Sequence, residues 1–235
     1  MQAVILAGGL GTRLWPMTQA VPKPMVPVAG SPYLEHQLRL LAEQNIRDIL
    51  LLTGYLGEQI EECFGDGARL DLRISYSREP SPLGTGGALR HAREQLEDAF
   101  LIIYGDSYLP IDYRAAFDRL LDTGAEGVIV VYDNRLGDTS VKSNIDLDGR
   151  GYISRYEKDS PDRLSFVEAG VLAFRRSVVD WMPGEGPVSL EKEIFPKLIG
   201  QGRLAGLVTT QRFYDIGTPE RLAVIEALFA ADHRS

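Results

Sequence analysis

Cysteine is nearly absent from this sequence: Cys63 stands alone among 235 residues. A lone thiol excludes an internal disulfide and a cysteine-based zinc cluster. Its expected place is a small buried apolar position. Histidine is scarce too, at three residues. His36 and His91 fall in helical patterns and His233 in the tail; none has a metal-ligand spacing, so all three read as structural or solvated. No apolar run is long enough to cross a bilayer. The first apolar run breaks at GGLGTR after a few residues, so a signal peptide is not expected. Basic residues are outnumbered, 25 Lys and Arg against 33 Asp and Glu, for a net charge of −8. That balance argues against a nucleic-acid partner, which would call for a basic face. It leaves room for a small anion held by a few local cations. Linkers, low-complexity segments and internal repeats are lacking as well. The expectation is a single domain over residues 1–235, reduced and cytoplasmic, with enough chain to bury a core.

What is present is an alternation of apolar runs and helical patterns. Val4–Ala7 reads as a short buried strand bounded by glycines. Ser31 and Pro32 read as a helix N-cap and first position, followed by Leu34, Leu38 and Leu41 at helical spacing. DILLLT, LRISYS, AFLIIYGD and EGVIVVYD read as strands. GEQIEECFG, GGALRHAREQLED and DYRAAFDRLLDTG read as the helices between them, and the charged run EQIEE as a solvated helix face. This predicts an α/β fold of three layers, Rossmann-like, with a mixed, mainly parallel sheet covered on both faces. From Ser140 to Phe174 the pattern shortens to VKSNIDLD, YISRYEK and FVEAGVLAF, expected as a small β-rich insertion. Helix, strand and helix then close the chain (SLEKEIFPKLIG, LAGLVTT, TPERLAVIEALFAA). Ligand sites in such folds lie at the carboxyl ends of the parallel strands.

The first such end carries GGLGTR and then VPKPMVP. The spacing of Gly8, Gly9 and Gly11 is not G-x-G-x-x-G, and no Walker motif is present. The physical logic of an anion site still holds. Glycines let successive backbone N–H groups approach a phosphate, and Arg13 offers a forked cation. Pro22 and Pro24 restrict the backbone on either side of Lys23, so that its ammonium is aimed. Asp106 follows the apolar strand of IIYGD, and Asp215 follows the aromatic pair of FYDIG. Two carboxylates at strand ends suit Mg²⁺, which takes one or two carboxylates together with substrate phosphates and waters. Glu168 lies within an apolar strand, where an unpaired charge is costly. It either faces a polar cleft, the favoured reading, or meets a cation.

LAGGLGTRLWPMT…PKPMVPV, PLGTGGAL, YGD, YEK, EAGV and YDIGTPERL occur in that order from residue 6 to residue 222. The ordered set resembles the sugar-1-phosphate nucleotidyltransferases (nucleotide-diphospho-sugar pyrophosphorylases) over nearly the whole chain. It is most similar to the short bacterial guanylyltransferases acting on heptose or mannose 1-phosphate. N-acetylmuramate 1-phosphate uridylyltransferases are similar as well.

The resemblance implies roles. Leu6, Ala7, Gly8 and Gly9 would contact the nucleoside, with Gly11, Thr12 and Arg13 on the triphosphate and Lys23 on phosphate. Pro82, Leu83, Gly84 and Thr85 would lie along base and ribose. Glu157 and Lys158 would meet the sugar phosphate, Glu168 and Gly170 the sugar hydroxyls, and Asp106 and Asp215 would hold Mg²⁺. Asn144 is a further sugar candidate, with an edge-strand role as its alternative. Residues 1–135 would serve mainly the nucleotide and 136–235 mainly the sugar phosphate.

The chain departs from the family in two places. Asp159 stands where proline often follows the E-K pair. Trp15 stands where smaller or basic residues are common, and is expected to be a packed aromatic.

The implied reaction joins an NTP and a sugar 1-phosphate into an NDP-sugar and pyrophosphate, with guanylyl transfer first and uridylyl or thymidylyl transfer as alternatives. Arg13, Lys23 and Lys158 would be the catalytic cations. A non-catalytic nucleotide or sugar-phosphate sensor is the competing class. The expected assembly is a monomer or homodimer.

Overall fold

The computed structural model describes residues 1–158 and 162–232. Asp159 and His233 lie outside the described residues. Seven apolar runs pair into one sheet: β1 (Gln2–Leu6), β2 (Asp48–Thr53), β3 (Arg73–Arg78), β4 (Ala99–Tyr104), β5 (Gly127–Tyr132), β6 (Val167–Arg175) and β7 (Leu204–Thr209). Their order is β7-β5-β6-β4-β1-β2-β3. Every pairing is parallel except those of β6, which runs antiparallel to both β4 and β5.

β1 shows why the sheet is covered twice. Ala3 and Ile5 belong to one apolar cluster and Val4 to another, because successive side chains of a strand point to opposite faces. On the first face pack α1 (Tyr33–Glu43), α2 (Gly57–Phe64) and α4 (Arg114–Asp122), through Leu34, Leu38, Leu41, Ile60, Phe64 and Leu120. On the second pack α3 (Gly84–His91), a π-turn at Leu190–Ile194, and α5 (Phe195–Gly200). Each fully buried Leu, Ile or Phe here contributes about 1.5–3 kcal/mol of transfer free energy. The last helix, α6 (Pro219–Asp232), lies on a third cluster made with Leu14, Val26, Val28 and Tyr33.

Four expectations need correction. Ser31 does not cap α1: it pairs with Val28 in a two-residue hairpin, and Pro32, with extended ψ, is the cap. FVEAGVLAF is not part of the insertion. It is β6, an interior strand of the main sheet, and its nine residues between β4 and β5 supply the antiparallel pairings. The insertion is a ribbon of Ile145–Leu147 with Ile153–Tyr156. Trp15 is 57% exposed, because the inward position of its loop is filled by Leu14. Cys63 is exposed, because Ile60 and Phe64 occupy the buried face of α2.

Candidate active site

The site is built where β1 and β4 end. Ala7 N–H donates to Leu52 O at 2.8 Å and Gly105 N–H to Leu6 O at 3.0 Å, so both chains leave the sheet together. Gly11 then takes φ +64, and a β-carbon there would stand 3.0 Å from Cβ of Lys23. Thr18 Oγ1 donates to Gly11 O at 2.8 Å. The glycine turn and the lysine loop are therefore one packed unit: Gly11 supplies both a left-handed turn and the room for Lys23.

Lys23 sits between Pro22, which is extended, and Pro24. Its side chain is 11% exposed and its ammonium is ion-paired with the Asp106 carboxylate. Asp106 lies in a turn held by Gln37, whose Nε2 donates to Tyr104 O (2.9 Å) and Ser107 O (2.5 Å). Ser107–Tyr108 pairs antiparallel with Tyr214–Asp215, placing Asp215 opposite Ser107. Ile216 N–H donates to Asp106 O at 3.0 Å. The two predicted metal carboxylates thus come from adjoining segments, Asp106 just before one strand of this pair and Asp215 on the other. Asp215 accepts from Gly217 N–H at 2.6 Å and from Arg221 Nη1 at 3.1 and 3.2 Å. Arg221 also donates to Ser140 O at 2.9 Å. Among the described residues no group of three or more His, Cys, Asp or Glu could hold a metal. A hard cation fits this pair of oxygen donors only if phosphate and water complete its shell, as Mg²⁺ prefers.

A cleft of about 530 Å³ opens beside Lys23 and Asp106; of the Asp215 turn only Gly217 lines it, and Asp215 itself stands behind the lining. The cleft is lined by predicted residues Leu6, Ala7, Gly8, Gly9, Gly11, Thr12, Arg13, Lys23, Pro82, Gly84, Thr85, Asp106 and Lys158. Arg13 makes no ion pair among the described residues, and its Nη2 reaches to 3.6 Å from where a β-carbon on Gly217 would stand.

Glu79, which sequence alone did not single out, also lines the cleft. Its Oε2 accepts from Leu83 N–H at 2.9 Å. Its Oε1 lies within 2.8 Å of ideal β-carbon positions on both Gly8 and Gly54, a niche only glycines leave open. Burial pushes the Glu79 carboxyl above the ordinary carboxylate range. The turn beyond it is anchored by Gly86 N–H to Val188 O at 2.8 Å.

Lys158 lines the cleft as well, ion-paired with Glu191 at 3.7 Å. Glu191, on the π-turn, was also missed. It accepts from Thr85 Oγ1 (2.9 Å), Ser189 Oγ (2.8 Å) and Tyr104 OH (3.1 Å). Burial opposes its charge, but Lys158 and these donors outweigh burial and hold it below the usual range. Glu168 behaves oppositely. Its Oε2 accepts from Tyr156 OH at 2.6 Å, and its Oε1, shut off from solvent, has no hydrogen-bond partner among the described residues. Burial first, then the Glu191 charge, push it up to about 7. Two neighbouring carboxyls are thereby pushed in opposite directions by their surroundings.

Several predicted residues stand behind the lining. Glu168 is one, beneath the hydroxyl of Tyr156. Leu83 caps α3, and its O accepts from Val188 N–H at 2.8 Å. Asn144 is buried; its Oδ1 accepts from Glu168 N–H (3.1 Å) and its O from Glu157 N–H (2.8 Å). Glu157 pairs with Arg155 at 3.2 Å. Gly170, at φ +78 in a bulge of β6, packs on Ser107: a β-carbon there would stand 2.4 Å from Cβ of Ser107.

A family model described as Nucleotidyl transferase matches residues 2–231. The chain is 35% identical over 224 residues to mannose-1-phosphate guanylyltransferase of Mycobacterium tuberculosis, covering 94% of this chain and 62% of that protein. It is 35% identical over 228 residues to the mannose-1-phosphate guanylyltransferase catalytic subunit beta of Danio rerio, again covering 94% and 62%. The chain thus spans about 62% of the length of these curated relatives. HddC from Yersinia pseudotuberculosis, solved in complex with GMP-PN, superposes with a TM-score of 0.83 at 28% identity, covering 97% of this chain and 99% of that one. A putative glucose-1-phosphate thymidylyltransferase from Bacillus anthracis shares the fold at a TM-score of 0.85 and 22% identity, covering 97% and 94%.

Proposed function

The chain belongs to the nucleotidyl transferase family, and from that premise we propose that it transfers GMP from GTP to a mannose or heptose 1-phosphate, releasing pyrophosphate. The observation that carries this reading is that one cleft is lined by the glycine turn, Arg13, Lys23 and Asp106 and also by Lys158. A triphosphate and a second phosphate fit that distribution of cations. Relatives named for guanylyl transfer to mannose 1-phosphate support the base and the sugar.

Glu79 supports guanine on chemical grounds. A carboxylate with one unpartnered oxygen accepts hydrogen bonds and donates none. Guanine's Watson–Crick edge offers two adjacent donors, N1–H and N2–H₂, whereas uracil and thymine offer one. Leu6, Ala7, Gly8 and Gly9 then take the nucleoside from the opposite side, with Pro82, Leu83, Gly84 and Thr85 along it.

The chemistry needs little from side-chain bases. The acceptor phosphate is largely a dianion near neutral pH, since its second pKa is about 6. One of its oxygens attacks the α-phosphorus, and the bond to the β-phosphate oxygen breaks as pyrophosphate leaves. Lys158, aimed by Glu191, orients the attacking phosphate, while Glu157, Glu168, Asn144 and Gly170 shape the sugar side. Arg13 and Lys23 stabilise charge on the departing group, and such positioning and charge neutralisation suffice for this class of transfer. Mg²⁺ would be held by Asp106 and Asp215, and would supply further neutralisation of the phosphates.

The test is pyrophosphate release with Mg²⁺, crossing GTP, UTP, dTTP, CTP and ATP with mannose, heptose, glucose and N-acetylmuramate 1-phosphates. Turnover confined to GTP with mannose or heptose 1-phosphate is the expected result. Turnover with UTP or dTTP would overturn the base assignment. Nucleotide binding without any turnover would favour a sensor.

A further inference from the structure

The two carboxylates assigned to the metal are each already neutralised. Lys23 is paired with Asp106, and Arg221 with Asp215. The cluster of two anions and two cations carries no net charge, so it has little Coulombic pull on a divalent ion. The two cations are not equivalent. Arg221 is tied down by a second bond to Ser140 O, at 2.9 Å, and reaches Asp215 from its own helix. Among the described residues Lys23 pairs with the Asp106 carboxylate alone, and it lines the same cleft as Arg13 and the glycine turn. Rotation of its flexible stem moves its ammonium from Asp106 toward a phosphate without moving the proline-clamped backbone.

We infer that Lys23 is a place-holder cation: it occupies Asp106 until a triphosphate draws it away, and only then is the divalent metal's seat complete. The inference rests on the proposed roles of Asp106 and Asp215. It assigns Lys23 two stations, Asp106 in the nucleotide-free chain and phosphate in the loaded one. Nucleotide and metal then bind cooperatively beyond their chelation in solution, and by linkage each raises the other's affinity by the same factor. The pair also prevents a bare carboxylate from standing half-buried in the empty cleft, which would be costly.

The experiment is a Mn²⁺ titration of the full chain without nucleotide, followed by electron paramagnetic resonance of unbound Mn²⁺. It compares wild type, Lys23→Met, Lys23→Gln, Asp106→Asn and the Lys23→Met/Asp106→Asn double variant, with melting curves confirming that each is folded. Removing the lysine should tighten Mn²⁺ binding by roughly ten- to a hundredfold, the factor that a charge-assisted hydrogen bond represents. The double variant should lose that gain. If Lys23→Met and Lys23→Gln bind Mn²⁺ no tighter than wild type while Asp106→Asn weakens binding, the metal seat stands and the place-holder is refuted. If no variant binds Mn²⁺ and added GTP contributes only its own chelation, both the inference and the metal assignment fail. The signature is distinctive because a lysine that served only the phosphates would leave nucleotide-free metal affinity unchanged.

Discussion

Glu79→Gln tests the base contact proposed for Glu79. The amide keeps a carbonyl oxygen to accept from Leu83 N–H, so the turn at Pro82–Gly84 is preserved. What changes is the second position, beside Gly8 and Gly54, where an acceptor becomes an NH₂ donor. A bidentate contact to a base edge is worth about 1–3 kcal/mol of discrimination. The ratio of kcat/KM for GTP to that for UTP should therefore fall by roughly 5- to 150-fold, mostly through loss with GTP. The assay is pyrophosphate release under subsaturating nucleotide, with mannose 1-phosphate fixed. Burial raises the Glu79 carboxyl, so wild-type kcat/KM for GTP should begin to fall with acidification at a higher pH than an ordinary glutamate would give. The variant should lack that limb. A Glu79→Gln enzyme that retains full GTP preference and the same pH profile would refute the reasoning, and would put base recognition on the backbone alone.

Other outcomes follow from the same geometry. Asp106→Ala should lower turnover by roughly a hundredfold or more in an enzyme that still melts cooperatively; a wild-type rate would sink the metal assignment. Gly170→Ala should cost at least about 2 kcal/mol, from its positive φ and the contact with Ser107, and lower Tm by roughly 4–8 °C by calorimetry. Glu168 is raised from 4.5 to about 7, so the folded state binds the extra proton between those values. Stability from this group is therefore present at low pH and lost as pH rises toward 7. Glu168→Gln should match wild type near pH 4.5 and exceed it by about 1–3 kcal/mol above pH 7 in urea titrations; equal stability at both pH values would contradict it.

The strands were legible because they are buried on both faces and so read as unbroken apolar runs: DILLLT is β2 to the residue. β6 was misplaced because local pattern does not encode strand order, and its charged second residue, Glu168, made it look peripheral. The glycine turn, Lys23 and Asp106 were legible because a strand end followed by glycines or an aspartate has few structural uses. Glu79 and Glu191 were not. Each sits in a polar stretch, REPSP and SLEKE, that reads as ordinary surface, and only the fold carries it into the cleft. Trp15 and Cys63 failed for a related reason: composition predicts average burial, but a neighbour one residue away had taken the inward position.

β6 runs against its neighbours, and this has a consequence for how such a chain can vary. A strand parallel to β5 could be reached only by crossing to the opposite edge of the sheet. Because β6 is antiparallel to β5, the chain leaves at Tyr132 and returns at Val167, which face each other. The described residues between them, 133–158 and 162–166, form an excursion from one end of the sheet, and they include Asn144, Glu157 and Lys158. Its two ends stay adjacent whatever its length. On the roles proposed for Asn144, Glu157 and Lys158, this span is a replaceable cartridge: exchanging it would alter what surrounds Lys158 without rethreading a strand of the main sheet.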